Sequence, residues 1–107
     1  MKLGIIISQT NPETVWNAFR LANFALQEGD EVKIFLVGEG VEYEKASSEK
    51  FNIQAQAADF LKSDKAHIMA CGTCLKLRDQ EATTTCPMSS MKDLYAIVQE
   101  CDKVLTF

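Results

Sequence analysis

Three short stretches of the chain are almost continuously apolar: residues 3–7, 32–37 and 66–70. A strand with one wet face alternates apolar and polar residues, whereas a strand covered on both faces has no reason to. Between these stretches lie segments with apolar residues at helical spacing. Such alternation restricts the fold to an α/β architecture, with parallel strands and helices on both faces of the sheet.

The first helix is the most plainly marked. Asn11 suits its cap and Pro12 its first position. Val15, Phe19, Ala22 and Leu26 share one face, and Gly29-Asp30 stops the helix. Trp16 falls on the polar face with Arg20, Asn23 and Gln27, which fits either a ring laid on its own domain or a subunit contact. Gly38-Glu39-Gly40 ends the second strand, but it lacks the Lys-Ser/Thr of a phosphate-gripping loop. Residues 41–52 are acidic and weakly periodic, and read as a solvated excursion or a functional loop. Asn52 caps a further helix carrying Ile53, Ala57, Phe60 and Leu61. Residues 82–86 are rich in β-branched side chains and read as a short strand ended by Pro87. Ser90 and Asp93 have the spacing of a capping box for a last helix striped by Met91, Leu94 and Val98. Residues 103–107 make a final strand. The expectation is one domain over residues 1–107, with a mostly parallel five-stranded sheet between helical layers.

At 107 residues the chain is long enough for one core and too short for two. Its net charge of −4 and the lack of a basic run argue against nucleic-acid binding. No apolar run approaches the roughly 18 residues of a membrane span. Residues 1–7 are too brief for a secretory signal, so a cytoplasmic location is the default expectation. There the four cysteines are expected as thiols rather than as structural disulfides. No cofactor-binding motif is found.

The third strand runs directly into Cys71-Gly72-Thr73-Cys74-Leu75-Lys76-Leu77-Arg78. Two thiols three residues apart therefore sit where a strand yields to a helix. Unpaired N–H groups at a helix start favour an anion, and a thiolate there has a lowered pKa. Arg78 falls one turn beyond Cys74 on the same side. Cys74 itself reads equally as a partner thiol or as a packing residue. In sheets of this kind ligands bind beyond the carboxyl ends of the strands. That rim holds residues 8–11 with Asn11, residues 38–41, residues 71–74, and Cys86 if its segment is a strand. His67 lies four residues before Cys71, roughly 13 Å along the strand at about 3.3 Å per residue, too far to act as its base. Cys101 precedes the last strand, at the opposite rim, and reads as filler. One CxxC supplies only two of the four ligands of a structural zinc site, so no metal is expected within one subunit.

The chain resembles the DsrE/DsrF-like family, in particular its YchN-type branch. The resemblance rests on Cys71, Thr73, Cys74 and Arg78, on the helix start Asn52-Ile53-Gln54, and on the closing Asp102-Lys103-Val104-Leu105-Thr106-Phe107. It implies a three-layer α/β/α fold around a five-stranded parallel sheet, and homo-oligomers, often trimers or hexamers. Better-known relatives pass sulfur as a cysteine persulfide between donor and acceptor proteins. The family's cysteine at the end of the third strand falls on Cys71, and the second cysteine of the branch on Cys74. Asp79 stands where that branch tends to carry glycine, which predicts a longer or redirected turn after the helix.

Two functions of different kinds fit these features. The first is a sulfur carrier, with or without sulfurtransferase-like activity, acting through Cys71 with Cys74 as auxiliary thiol. Gly72, Thr73, Arg78, Cys86 and Asn11 are its candidate auxiliary residues. The second is a non-enzymatic oligomeric binding module, in which CxxC pairs of neighbouring subunits share an interfacial thiol or metal site. A thioredoxin-like oxidoreductase fits poorly, because its CxxC stands in a different βαβ setting and usually has Trp or Pro beside it.

Overall fold

The computed structural model describes residues 1–83 and 86–107. Its elements follow in chain order: β1 (Lys2–Ile7), α1 (Pro12–Gln27), β2 (Glu31–Leu36), a 3₁₀ segment (Gly38–Ala46), α2 (Ile53–Phe60), β3 (Ala66–Cys71), α3 (Gly72–Leu77), β4 (Met88–Ser89), α4 (Met91–Glu100) and β5 (Lys103–Thr106). The five strands form one sheet in the order β4-β3-β2-β1-β5, and every pairing is parallel. The expected α/β/α architecture is therefore present, with the sheet parallel throughout.

Helices α1 and α2 pack together over one face of the sheet. Ile5, Ile7, Ile34 and Leu36 meet Val15, Phe19, Ile53 and Phe60 there, all fully buried. The Asn11 side chain accepts the Thr14 N–H at 3.1 Å, and Asn52 accepts the Ala55 N–H at 3.0 Å, so both helices start at side-chain caps. Among the described residues, the opposite face carries only α4. It can lie close because β1 has Gly4 beneath it: a Cβ on Gly4 would stand 2.7 Å from Ile97 Cγ2. Ser90 N–H donates to Asp93 Oδ2 at 2.8 Å, completing the capping box that starts α4.

Of the two readings of Trp16, the structure shows the ring laid on its own domain, its centroid 5.3 Å from that of Phe51 and the Arg20 guanidinium 4.4 Å from its centre. Two sequence expectations change. Residues 41–52 are not solvated throughout. Gly40 passes so close to the Ile7 carbonyl that a Cβ would collide with it, and this brings Val41 and Tyr43 into the core. The strand expected over 82–86 falls partly on Thr84 and Thr85, outside the described residues; Ala82, Thr83 and Cys86 are irregular. The paired residues instead follow Pro87: Met88 aligns with Ala70 and Ser89 with Cys71. Proline lacks an N–H but keeps a carbonyl, and the Pro87 carbonyl accepts the Ala70 N–H at 3.2 Å. Pro87 thus introduces the strand rather than ending it.

Candidate functional site

Cys71 is the last residue of β3 and occupies the cap position of α3. Its backbone is still extended, so the first amides of the helix turn toward its own side chain. Burial pushes the Cys71 thiol up, but hydrogen bonding from Cys74 and from the Thr73 amide outweighs it and holds the thiol below its ordinary value. Cys71 is only 4% exposed and packs with Phe35 and Ile97 on the α4 face. It is not sealed, however. With Gly72, Thr73, Lys76, Ser89 and Met91, among others, it lines an open cleft of about 370 Å³ between α3 and the start of α4. Met88 lies directly over Gly72, where a Cβ would stand 2.7 Å from its Cγ, so residue 72 has to be small.

Cys74 is half-buried on the inner side of α3. Its sulfur accepts the Gly38 N–H at 3.2 Å, a bond from the end of β2 that sequence spacing does not reveal. Arg78 does lie one turn beyond, but its guanidinium is committed elsewhere. Nη1 donates to the Cys74 carbonyl at 3.2 Å, and Nε stands 3.3 Å from Glu42 Oε1 in the 3₁₀ segment. Glu42, 36 positions before Arg78, is a partner that no spacing in the chain singles out.

The remaining cysteines are apart from this cleft. Cys86 is beside a separate small cavity under the 3₁₀ segment, with Tyr43, Glu44 and Gln80. Burial, with Glu44 nearby, pushes its thiol up to about 11. Cys101 packs under α4 at the opposite rim, where burial raises its thiol despite Lys33. His67 is exposed beside Glu31, its Nε2 3.8 Å from the carboxylate. Asn11 is occupied in capping α1 and lines another groove with Ser48, Lys50 and Phe51. The structure thus joins Cys71, Gly72, Thr73 and Cys74 in one place, ties Arg78 behind them, and sets Cys86 and Asn11 apart. Among the described residues no three His, Cys, Asp or Glu side chains converge as a metal-ion cluster.

The turn after α3 is a tight one. The Asp79 N–H donates to the Lys76 carbonyl at 3.2 Å and the Gln80 N–H to the Leu75 carbonyl at 2.9 Å, the paired bonds of a Schellman motif. Asp79 has a φ of 51°. This is the left-handed position that glycine fills most easily and that aspartate tolerates.

With this geometry in place, comparison with known proteins is informative. The model of the DsrE/DsrF-like family matches residues 1–107. The chain is 33% identical over 118 residues to the uncharacterized protein MJ0989 of Methanocaldococcus jannaschii, covering all of both chains. It is 31% identical over 112 residues to the uncharacterized protein MK0008 of Methanopyrus kandleri, covering 98% of this chain and 93% of that one. Among solved structures, the crystal structure of the ychN protein from E. coli matches all of both chains with a TM-score of 0.80 at 24% identity, a likeness of fold.

Proposed function

Because this chain belongs to the DsrE/DsrF-like family, we propose that it is a cysteine-based sulfur carrier, with Cys71 as the loading thiol and Cys74 as its auxiliary. The observation that carries this reading is the place of Cys71, at the cap of α3 and in the lining of an open cleft. The thiolate attacks the outer sulfur of a donor persulfide. The donor cysteine departs as its own thiolate, and Cys71 keeps the transferred sulfur as a persulfide. An acceptor thiolate reverses the step. Alternatively, the Cys74 thiolate attacks Cys71 Sγ, forming the Cys71–Cys74 disulfide and expelling hydrosulfide. Thr73 and Gly72 serve by backbone: one supplies an amide, the other room for Met88.

A homo-oligomer is part of the same proposal. Met88, Met91, Tyr95 and Val98 form an exposed apolar stripe that begins at the mouth of the Cys71 cleft and continues along α4. No helix among the described residues is long and apolar enough to cross a membrane. We place the protein in the cytoplasm, where reducing conditions keep both thiols available.

Intact mass after incubation with a persulfide donor tests the reading. Wild type gains one sulfur atom and Cys71→Ser gains none. An unloaded wild type, or an undiminished adduct on Cys71→Ser, overturns it.

A further inference from the structure

Cys74 is the point where two otherwise separate parts of the rim meet. Its sulfur accepts from the Gly38 amide at 3.2 Å, and its residue stands in the first turn of the helix that Cys71 caps. An amide hydrogen on Cys74 Sγ holds that sulfur in place and draws electron density from it, so its S–H becomes the stronger donor.

The Gly38 amide is held in place from both sides. Gly38 has a φ of 58°, and an added Cβ there would meet nothing closer than the Ser8 carbonyl at 3.8 Å. Backbone angle rather than space therefore demands glycine. Two residues on, Gly40 is pressed onto the Ile7 carbonyl, which pins the segment to the end of β1. Two residues further, Glu42 pairs with Arg78, whose Nη1 also holds the carbonyl of Cys74. Arg78 thus ties the 3₁₀ segment to the very residue whose sulfur the segment contacts.

We propose that the Gly38 main-chain N–H is a catalytic group of the dithiol site, and that the Glu42–Arg78 pair is the positioning device that keeps it on Cys74. In the resting dithiol the amide holds the Cys74 sulfur in place and makes its S–H the stronger donor. In release it stabilises the Cys74 thiolate as that sulfur attacks Cys71 Sγ. The Cys74 proton then leaves on the expelled sulfur, so the step consumes one persulfide and one thiol and yields one disulfide and hydrogen sulfide. The two glycines and the acidic segment, which fit no phosphate loop, here become the second wall of a thiol site.

The inference rests on Cys74 serving as auxiliary thiol, and its test does not need a sulfur donor. The Gly38 amide proton resonance of the reduced protein is followed by ¹⁵N-edited NMR, and the alkylation rate of Cys71 near neutral pH is measured in parallel. Cys74→Ala is expected to move the Gly38 resonance upfield and to speed its exchange with solvent. Arg78→Met is expected to move it in the same direction and to slow Cys71 alkylation about fivefold, the scale of one hydrogen bond. Arg78→Lys restores most of the rate, and Lys45→Met, which removes only the outer partner of Glu42 at 3.7 Å, changes neither reading. Glu42→Gln gives the same result as Arg78→Met and replaces it should that variant fold poorly. A Gly38 resonance indifferent to Cys74→Ala, or wild-type alkylation in both Arg78→Met and Glu42→Gln, overturns the inference. If the Gly38 resonance responds but no sulfur loads on Cys71, the carrier reading fails while the Gly38 assignment stands.

Discussion

The two faces of the sheet are built to different standards. Under α1 and α2 the core is deep, with Phe19, Phe60, Ile5, Ile34 and Leu36 wholly out of solvent. Under α4, among the described residues, the buried apolar side chains are Phe35, Cys71 and Ile97, and Leu94, Val104 and Met69 are covered in part. Cys71 opens on the thinner face. A core packed to crystal-like density resists any change of volume, whereas a single helix over a glycine gap leaves a cleft beside it. The deep face holds the fold, and the thin face gives Cys71 its access.

Four substitutions or conditions would break or sharpen that contrast. Phe19→Ala should cost about 3–5 kcal/mol in denaturant unfolding, yet leave Cys71 alkylation in the folded protein unchanged. A large rate change there would mean that the two faces are mechanically one. Gly4→Ala should cost about 1–3 kcal/mol, since its new methyl group meets Ile97 from below. It should also alter Cys71 alkylation, because α4 must shift; a changed stability with an unchanged rate would detach the cleft from the α4 layer. Asp79→Gly should stabilise by up to about 1 kcal/mol by relieving the left-handed φ, with no effect at Cys71. Tyr95→Glu should stay within about 0.5 kcal/mol in stability, since that side chain is 61% exposed. Sedimentation should nevertheless show a smaller assembly, and an unaltered mass would remove α4 from the proposed subunit contact.

Titration separates the cysteines on the two sides of α3. Cys86 is raised from its ordinary value of 9.0 to about 11, so the folded state prefers its neutral form. The stability it contributes is complete below pH 9.0 and is lost as pH rises toward about 11. Cys86→Ala should flatten that alkaline decline in thermal melts. Cys71 is shifted the other way, so its contribution is present above the ordinary thiol range and is lost as pH falls through its lowered value. Cys71→Ser should remove that acid-side loss and leave the alkaline decline in place.

Architecture was legible because it rests on local patterns. Continuous apolar runs at residues 3–7, 32–37 and 66–70 admit little besides buried parallel strands. Asn11, Asn52 and the Ser90–Asp93 pair announce helix starts by chemistry that acts within four residues. The pairing of Cys71 with Cys74 was equally local. What escaped the sequence was non-local. Nothing in the spacing brings Gly38 to Cys74, 36 positions away, or Glu42 to Arg78. Pro87 reads in sequence as the end of a strand, whereas its carbonyl accepts the Ala70 N–H and leads into β4. The acidic segment misled because two buried side chains, Val41 and Tyr43, are too few to set a period.

The small exposure of Cys71 has a kinetic consequence. Its approach is flanked by Met88 and Met91, unbranched thioethers that change rotamer without moving backbone. A compact reagent can pass them as they fluctuate, while a bulky one must wait for α4 to yield. Access to the Cys71 sulfur therefore falls with the girth of the reagent, and a series of alkylating agents of rising size reads the width of the doorway.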